Sequence, residues 1–193
     1  MRKLRGLALL GVLAAATLGV PAQAEIVKTA TVDCKGGKIC FYWWPKLPEL
    51  TGWHGDNSLN FELGENGSNV LIPDSKTFSN APAVIYARAI YIERYDWQFK
   101  TKSPLASFIA DDQETFRKEH KDIIITEIAP LKTGDGQVLK VISYSRPADK
   151  NWECVAYGEE DGDYLMFVLS ANSEAGYTEA LPAYHDLIAR YKR

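Results

Sequence analysis

Four short segments in the C-terminal half of the chain alternate with turn signals, and this pattern constrains the fold more than any other. They span Ile123 to Ile128, Val138 to Tyr144, Trp152 to Tyr157 and Tyr164 to Ser170. Each is rich in β-branched and aromatic residues, as strands are. Asp161-Gly162, between the last two, is a strong signal for a tight hairpin. The pattern predicts a meander of four antiparallel strands.

One further strand and two helices are predicted around this meander. Ala83 to Glu93 alternates with apolar residues on both faces, which predicts a strand covered on both sides. Ser103-Pro104 is typical of an N-cap followed by a first-turn proline, so a helix should begin there. The C-terminal stretch predicts a second helix, in which Pro182 is tolerated only within the first turn. Its apolar residues recur at helical spacing, namely Tyr177, Leu181, Tyr184, Ile188 and Tyr191.

A hairpin and a long irregular segment precede these elements. Ile26 to Val32 and Ile39 to Trp44 flank a glycine pair, and the pattern predicts two strands joined by a tight turn. Residues 45–82 are rich in Gly, Asn, Ser, Asp and Pro, and so long an irregular stretch is often functional. Within it we expect a short helical turn capped by Asp56 and a short strand from Asn69 to Ile72.

The order of elements defines the expected fold class. A hairpin, a strand, a helix, four meandering strands and a helix predict an α+β domain over residues 25–193, with an antiparallel β-sheet and helices packed on it. This order resembles the Mog1/PsbP-like sandwich over most of residues 39–191. The resemblance implies an accessory or binding protein and not an enzyme, by fold analogy. The long segment 45–82 departs from a minimal version of that fold.

The first twenty-four residues have the pattern of a secretory signal peptide. Three cations among the first five residues precede an uncharged run from Gly6 to Gly19, and Ala22-Gln23-Ala24 offers the small residues that a signal peptidase requires. The run is shorter than the roughly 20 apolar residues of a membrane-spanning helix. We therefore expect residues 1–24 to be removed and the mature chain from Glu25 to be soluble, periplasmic or secreted, with no membrane span.

Net charge and missing motifs exclude several functions. The whole chain carries a net charge of −3, and loss of the leader's three cations would lower it to −6. A negative chain with interspersed signs is a poor nucleic-acid binder. The sequence holds neither a phosphate-binding glycine loop nor a dinucleotide fingerprint, so no cofactor is expected.

The three cysteines are Cys34, Cys40 and Cys154. An oxidising compartment favours one disulfide and one spare thiol. A two-residue loop in the hairpin would direct the sulfurs of Cys34 and Cys40 to opposite sides, whereas a three-residue loop would place the two residues directly opposite each other. A Cys34–Cys40 disulfide is the first expectation. Cys154 is an alternative partner for either, and three buried thiols are the remaining alternative.

The candidate binding surface is centred on the aromatic run from Phe41 to Trp44, followed by Trp53. Side chains in a strand alternate, so Tyr42 and Trp44 face away from Phe41 and Trp43. One pair can fill the main core. The other is either covered by Trp53 and Leu59 in a second small core or exposed as a surface for a ligand or partner.

Three polar residues complete the candidate site. His54 and Asp56 lie two residues apart and could share a proton or a metal ion, but no further His or Cys has matching spacing, so a metal site is not expected. Asp112 lies on the apolar stripe of the first helix. Its carboxylate is either satisfied by a backbone amide or by Arg88, or it faces a ligand or acts as an acid or base.

An acidic cluster marks the last predicted hairpin. It consists of Glu159, Glu160, Asp161 and Asp163. Calcium prefers oxygen ligands of this kind, but the spacing matches no EF-hand loop. The sequence therefore favours a solvated turn.

Three hypotheses for function follow. The first is an exported binding or accessory protein of the bacterial envelope, without catalytic activity, whose surface combines the aromatic run and segment 45–82. Its partner would be a protein or small molecule of the envelope. The alternative is a small hydrolase or metal-assisted enzyme using His54, Asp56 and Asp112. The third is a purely structural envelope component.

Overall fold

The computed structural model describes residues 26–34, 38–64, 66–92 and 105–193, without the side chains of residues 31–39. The predicted signal peptide and the predicted helix start at Ser103-Pro104 lie outside these ranges. Within them the chain forms nine strands and two helices. The strands are β1 (Ile26–Cys34), β2 (Lys38–Pro45), β3 (Trp53–Gly55), β4 (Asn69–Pro73), β5 (Ala83–Tyr91), β6 (Ile124–Lys132), β7 (Val138–Arg146), β8 (Asn151–Glu160) and β9 (Asp163–Ala171), and the helices are α1 (Leu105–Glu119) and α2 (Glu174–Arg190).

Strands β3 to β9 form one seven-stranded sheet in the order β3-β4-β5-β9-β8-β7-β6, while β1 and β2 pair with each other as a separate hairpin. Every pairing is antiparallel. The predicted meander is confirmed, because β6 to β9 are neighbours in the sheet as they are in the sequence. The fold class is α+β, as the order of elements predicted.

Each face of the sheet has its own hydrophobic core. On the face that α1 covers, here called the α1 face, aromatic residues dominate; the core residues are Phe108, Ile109, Ile142, Tyr144, Val155, Tyr157, Tyr164, Met166 and Val168. On the opposite α2 face, small and aliphatic residues pack under the second helix; they include Ile85, Ala87, Ala89, Val141, Ala156, Leu165, Phe167, Leu169, Tyr184, Leu187 and Ile188. The hairpin β1–β2 also lies on the α2 face, since Ile26 and Trp43 pack against that core.

Helix α2 begins earlier than the position of its proline suggested. The hydroxyl of Ser173 accepts a hydrogen bond from the backbone N–H of Gly176 and so caps the helix at residue 173. Pro182 therefore lies inside the helix, and the expectation that it falls in the first turn was wrong. The Pro182 ring is on the exposed side, and burial of Tyr184 and Leu187 on the other side stabilises the helix despite the lost hydrogen bond.

Segment 45–82 extends the sheet beyond β5. It supplies β3 and β4 and, between them, a 3-10 turn at Leu59–Phe61. One Asp56 carboxylate oxygen accepts hydrogen bonds from the Ser58 backbone N–H at 3.0 Å and the Ser58 hydroxyl at 2.6 Å. The Leu59 N–H donates to the Asp56 carbonyl. The predicted turn is confirmed, but its N-cap is Ser58 and not Asp56, and no side chain caps the turn.

The register of the β1–β2 hairpin differs from the registers expected for the two-residue and the three-residue loop. Thr31 lies opposite Cys40 and Cys34 lies opposite Lys38, with an irregularity between them. Cys154 is free and buried, so the alternative that made it a disulfide partner was wrong. Burial raises the pKa of the Cys154 thiol to about 11. The Cys34–Cys40 disulfide stays a prediction, because the Cys34 side chain lies outside the described part of the chain.

Candidate functional site

One pair of the aromatic run is covered by segment 45–82. The rings of Tyr42 and Trp44 contact Phe61 edge to face, with ring centroids 5.1 and 5.4 Å apart respectively. Trp44 is buried, and its ring lies close enough to Gly67 to leave no room for a Cβ atom there. These contacts form a second small core, which was one of the two predicted alternatives.

The residues expected to cover this pair pack against other clusters. Phe61 supplies the ring that contacts both members of the pair. Leu59 packs against a satellite cluster that contains Val70 and Ile72. Trp53 packs against the core of the α2 face. No local pattern singles out Phe61 for this position, because any apolar residue of the segment could close the small core.

The other pair borders a cavity. Register pairs Lys28 with Trp43 and Ala30 with Phe41, so the four side chains share one face of the hairpin. Between them and the adjoining ends of β5 and β9 lies a cavity of about 440 Å³, which Tyr91 also lines. Phe41 is 64% exposed and Tyr91 is 40% exposed. Volumes of roughly 300–1,000 Å³ are usual for small-molecule sites.

The cavity also has a buried carboxylate in its lining. Asp163 is only 1% exposed, and among the described residues its Oδ2 atom has no hydrogen-bond partner. The indole Nε1 of Trp43 is likewise buried and without a partner in the described chain. Burial raises the pKa of Asp163 to about 6, although the charge of Lys28 opposes the shift.

The sequence had indicated a solvated acidic turn, but two of its four acidic side chains, Glu160 and Asp163, are buried. Glu160 is buried beside Asp163, and its Oε2 accepts a 2.6 Å hydrogen bond from the Tyr191 hydroxyl. Burial raises the pKa of Glu160. A signal was present in the sequence: Asp163 is in phase with Leu165 and Phe167, and residues two apart in a strand share a face.

Asp112 is paired, but with neither of the expected partners. The Tyr157 hydroxyl donates a 2.6 Å hydrogen bond to its Oδ2 atom, and the hydroxyls of Tyr157 and Tyr144 lie 2.7 Å apart. Burial raises the pKa of Asp112, while the Tyr157 hydrogen bond and the charge of Arg88 oppose the shift. This arrangement is a satisfied structural contact between α1 and β8.

His54 and Asp56 lie far from Asp112. The His54 Nδ1 atom is 3.7 Å from the Asp74 carboxylate, and the hydrogen bonds from Ser58 lower the pKa of Asp56. His54 lies in β3 and Asp56 directly follows it, whereas Asp112 contacts β8. Strand β3 is four strands away from β8 in the sheet, which corresponds to about 19 Å at the usual strand spacing. In the ranges that the structure describes, no group of three or more His, Cys, Asp or Glu residues is placed to hold a metal ion.

The chain matches no protein-family model, and no curated protein is significantly similar to it. Within the described ranges, no helix is both long enough and apolar enough to cross a membrane. The geometry of the cavity and its lining residues therefore carries the functional argument.

Proposed function

We propose that this protein is an exported binding or accessory protein of the bacterial envelope, without catalytic activity, and that it binds its ligand at the hairpin cavity. One observation carries the proposal: a cavity of about 440 Å³ has exposed aromatic rings at its border, and its lining residues carry buried polar atoms that have no partner among the described residues. Aromatic walls with a few polar groups are typical of small-molecule sites.

The aromatic rings at the cavity support this proposal by their exposure. Phe41 and Tyr91 leave much of their apolar surface in water, which costs free energy that a bound ligand would recover. Phe41 lies beside Ala30 across the hairpin, so a bound molecule would touch both strands. A ligand here would therefore stabilise the hairpin against the main sheet.

The enzyme hypothesis has less support. Asp56 accepts hydrogen bonds from Ser58, Asp112 accepts one from Tyr157, and His54 lies near Asp74. A general acid or base must reach the proton that it transfers. Residues that are held by separate partners and lie far apart do not form such a group. A purely structural role would leave the cavity and its unpartnered atoms without a use.

The export step is tested at the N-terminus. Protein recovered from expressing cells should begin at Glu25, because a signal peptidase cleaves after the small residues Ala22-Gln23-Ala24. Intact-mass measurement of the periplasmic and cytosolic fractions checks this. Ala24→Tyr should block cleavage and keep the leader attached. Recovery of the unaltered chain in the cytosol with Met1 still present would contradict export.

The binding step is tested by thermal-shift screening of the mature protein against a library of small aromatic and aliphatic compounds. We expect some compounds to raise the melting temperature of the natural chain, and Phe41→Ser to remove the effect. Phe78→Ser is the matched control, because Phe78 is 42% exposed and does not line the cavity. A library without hits, or hits that survive Phe41→Ser, would contradict the proposed site.

The Mog1/PsbP-like assignment is also a proposal. It is supported by the order of β5, α1, the β6–β9 meander and α2. An experimental structure whose strands β5–β9 and helices failed to superimpose on proteins of that fold would overturn it.

A further inference from the structure

We propose that the hairpin cavity binds an organic ammonium ion, a protonated primary amine carried on an aromatic body. This inference rests on the proposed function and names the ligand class of the same site. It depends on three features of the cavity: a buried acceptor, an excess of acidic neighbours and aromatic walls.

The acceptor is Asp163. An ionised carboxylate can only accept hydrogen bonds, and its buried Oδ2 atom has no donor among the described residues. A buried carboxylate without a partner is costly, and a cation that both donates and neutralises removes that cost. A ligand carboxylate or neutral ether in the same place would leave Asp163 without a donor. A ligand ammonium group satisfies it.

The charges around Asp163 favour a cation over an anion. Lys28 of β1 is the basic neighbour, whereas Glu160 of β8 and Asp161 of the turn are acidic. Tyr91 lies directly opposite Asp163 in the register of β5 and β9. The group formed by Asp163 and these neighbours carries more negative than positive charge, so it attracts a positively charged ligand.

The cavity walls fit the body of such a ligand. Phe41, Trp43 and Tyr91 line the same space as Asp163. Aromatic faces carry negative potential and attract ammonium groups, and they also pack against an aromatic ring. The Trp43 Nε1 has no acceptor in the described chain. It would donate to an oxygen on the ligand, which favours an amine that also carries a hydroxyl group.

Three compounds of nearly equal shape test the charge requirement. Tyramine carries an ammonium group, tyrosol a neutral hydroxyl, and 3-(4-hydroxyphenyl)propanoate a carboxylate. Isothermal titration calorimetry at pH 7.5 should show tyramine binding at least tenfold more tightly than the other two. Lowering the pH to 5 should weaken tyramine binding several-fold, because Asp163 then becomes largely protonated.

Two variants test the residue assignment. Asp163→Asn keeps the shape and removes the charge, and should weaken tyramine binding at least tenfold. Asp112→Asn makes the same change in a half-buried carboxyl on the other face of the sheet and should leave the affinity unchanged within twofold. Circular dichroism verifies that both variants fold. Equal affinity of the propanoate and tyramine, or full tyramine affinity in Asp163→Asn, would overturn the inference.

The outcomes separate this inference from the proposed function. If tyramine shows no binding below about 1 mM while library compounds bind in a manner that depends on Phe41, the ligand class is wrong and the binding function stands. If neither tyramine nor any library compound binds, both proposals fail.

Discussion

The phenol of Tyr157 donates a 2.6 Å hydrogen bond to Asp112 Oδ2, and this contact joins β8 to α1 inside the core of the α1 face. The hydroxyl of Tyr144 lies 2.7 Å from that of Tyr157. Three polar groups are thus placed in a hydrophobic layer and satisfy one another. A buried chain of this kind fixes the position of the helix on the sheet, because any shift would leave a polar group without a partner.

Removal of the Tyr157 hydroxyl should lower the stability of the folded protein. Tyr157→Phe leaves the Asp112 carboxyl and the Tyr144 hydroxyl without their shared partner, so we expect the unfolding free energy to fall by about 1–3 kcal/mol. Urea denaturation measures the change. Tyr42→Phe is the control, since no hydrogen bond of the described residues holds that hydroxyl, and its effect should stay within about 0.5 kcal/mol. Equal effects of the two substitutions would mean that the hydrogen bonds among Asp112, Tyr157 and Tyr144 contribute no stability.

The buried carboxyl of Asp163 should make stability depend on pH. Its pKa rises from the ordinary value of 3.8 to about 6 on folding, so the folded state binds the proton more tightly than the unfolded state. The stabilisation is fully present below about pH 4 and is lost as the pH rises through 6. Between pH 4 and pH 7.5 the unfolding free energy of Asp163→Asn should therefore gain about 2.5 kcal/mol relative to the natural chain.

Urea denaturation at both pH values checks this dependence, since the comparison with Asp163→Asn isolates one group from the others that titrate. Asp122→Asn changes an exposed carboxyl and serves as the control substitution. A constant difference between Asp163→Asn and the natural chain at the two pH values would show that Asp163 is not held in a buried site.

Two glycines with similar backbone angles should respond differently to a methyl group. Gly67 and Gly136 have φ values of 83° and 93°, so Ala at either position costs about 1 kcal/mol of backbone strain. A Cβ at Gly67 would clash with the Asn60 carbonyl oxygen and lie 2.9 Å from the Trp44 ring, whereas a Cβ at Gly136 meets nothing within 4 Å. Gly67→Ala should destabilise the protein by at least about 2 kcal/mol more than Gly136→Ala. Thermal unfolding of the two variants would reveal equal losses if the small core around Trp44 were loosely packed.

Replacement of Pro182, the proline inside α2, should increase the stability of the protein. Pro182→Ala restores an N–H that can donate to the Thr178 carbonyl, and the exposed position loses no packing. We expect the unfolding free energy to rise by about 1–3 kcal/mol. Glu179→Ala, at an exposed position in the same helix, should change it by less than about 0.5 kcal/mol. A loss of stability in Pro182→Ala would mean that the ring itself supports the helix.

Strands β4 to β9 of the main sheet were predictable because their signals are local, whereas the short strand β3 was not predicted. Alternation from Ala83 onward placed β5 and its two covered faces, and the Asp161-Gly162 pair placed the β8–β9 hairpin. The start of α2 was not predicted correctly. Pro182 suggested a late start, yet the Ser173 cap and the buried residues of the helix outweigh the proline. Local propensity is a weak prior when tertiary packing opposes it.

The candidate site was harder to predict because it depends on which elements meet. The aromatic run identified Phe41 and Trp43 as residues of interest, but no local pattern shows that the hairpin packs against the ends of β5 and β9. Asp163 was assigned to a solvated turn because its neighbours are acidic, although its phase along β9 places it inward. The partner of Asp112 was missed for the same reason, since Tyr157 is 45 positions away.

The thiol of Cys154 lies in the middle of β8, fully enclosed, and burial keeps it protonated at neutral pH. An alkylating reagent can therefore reach this sulfur only after the centre of the sheet has separated. The rate at which the Cys154 peptide acquires a maleimide label therefore reports the rate of global unfolding. The natural thiol provides this measurement without an engineered cysteine.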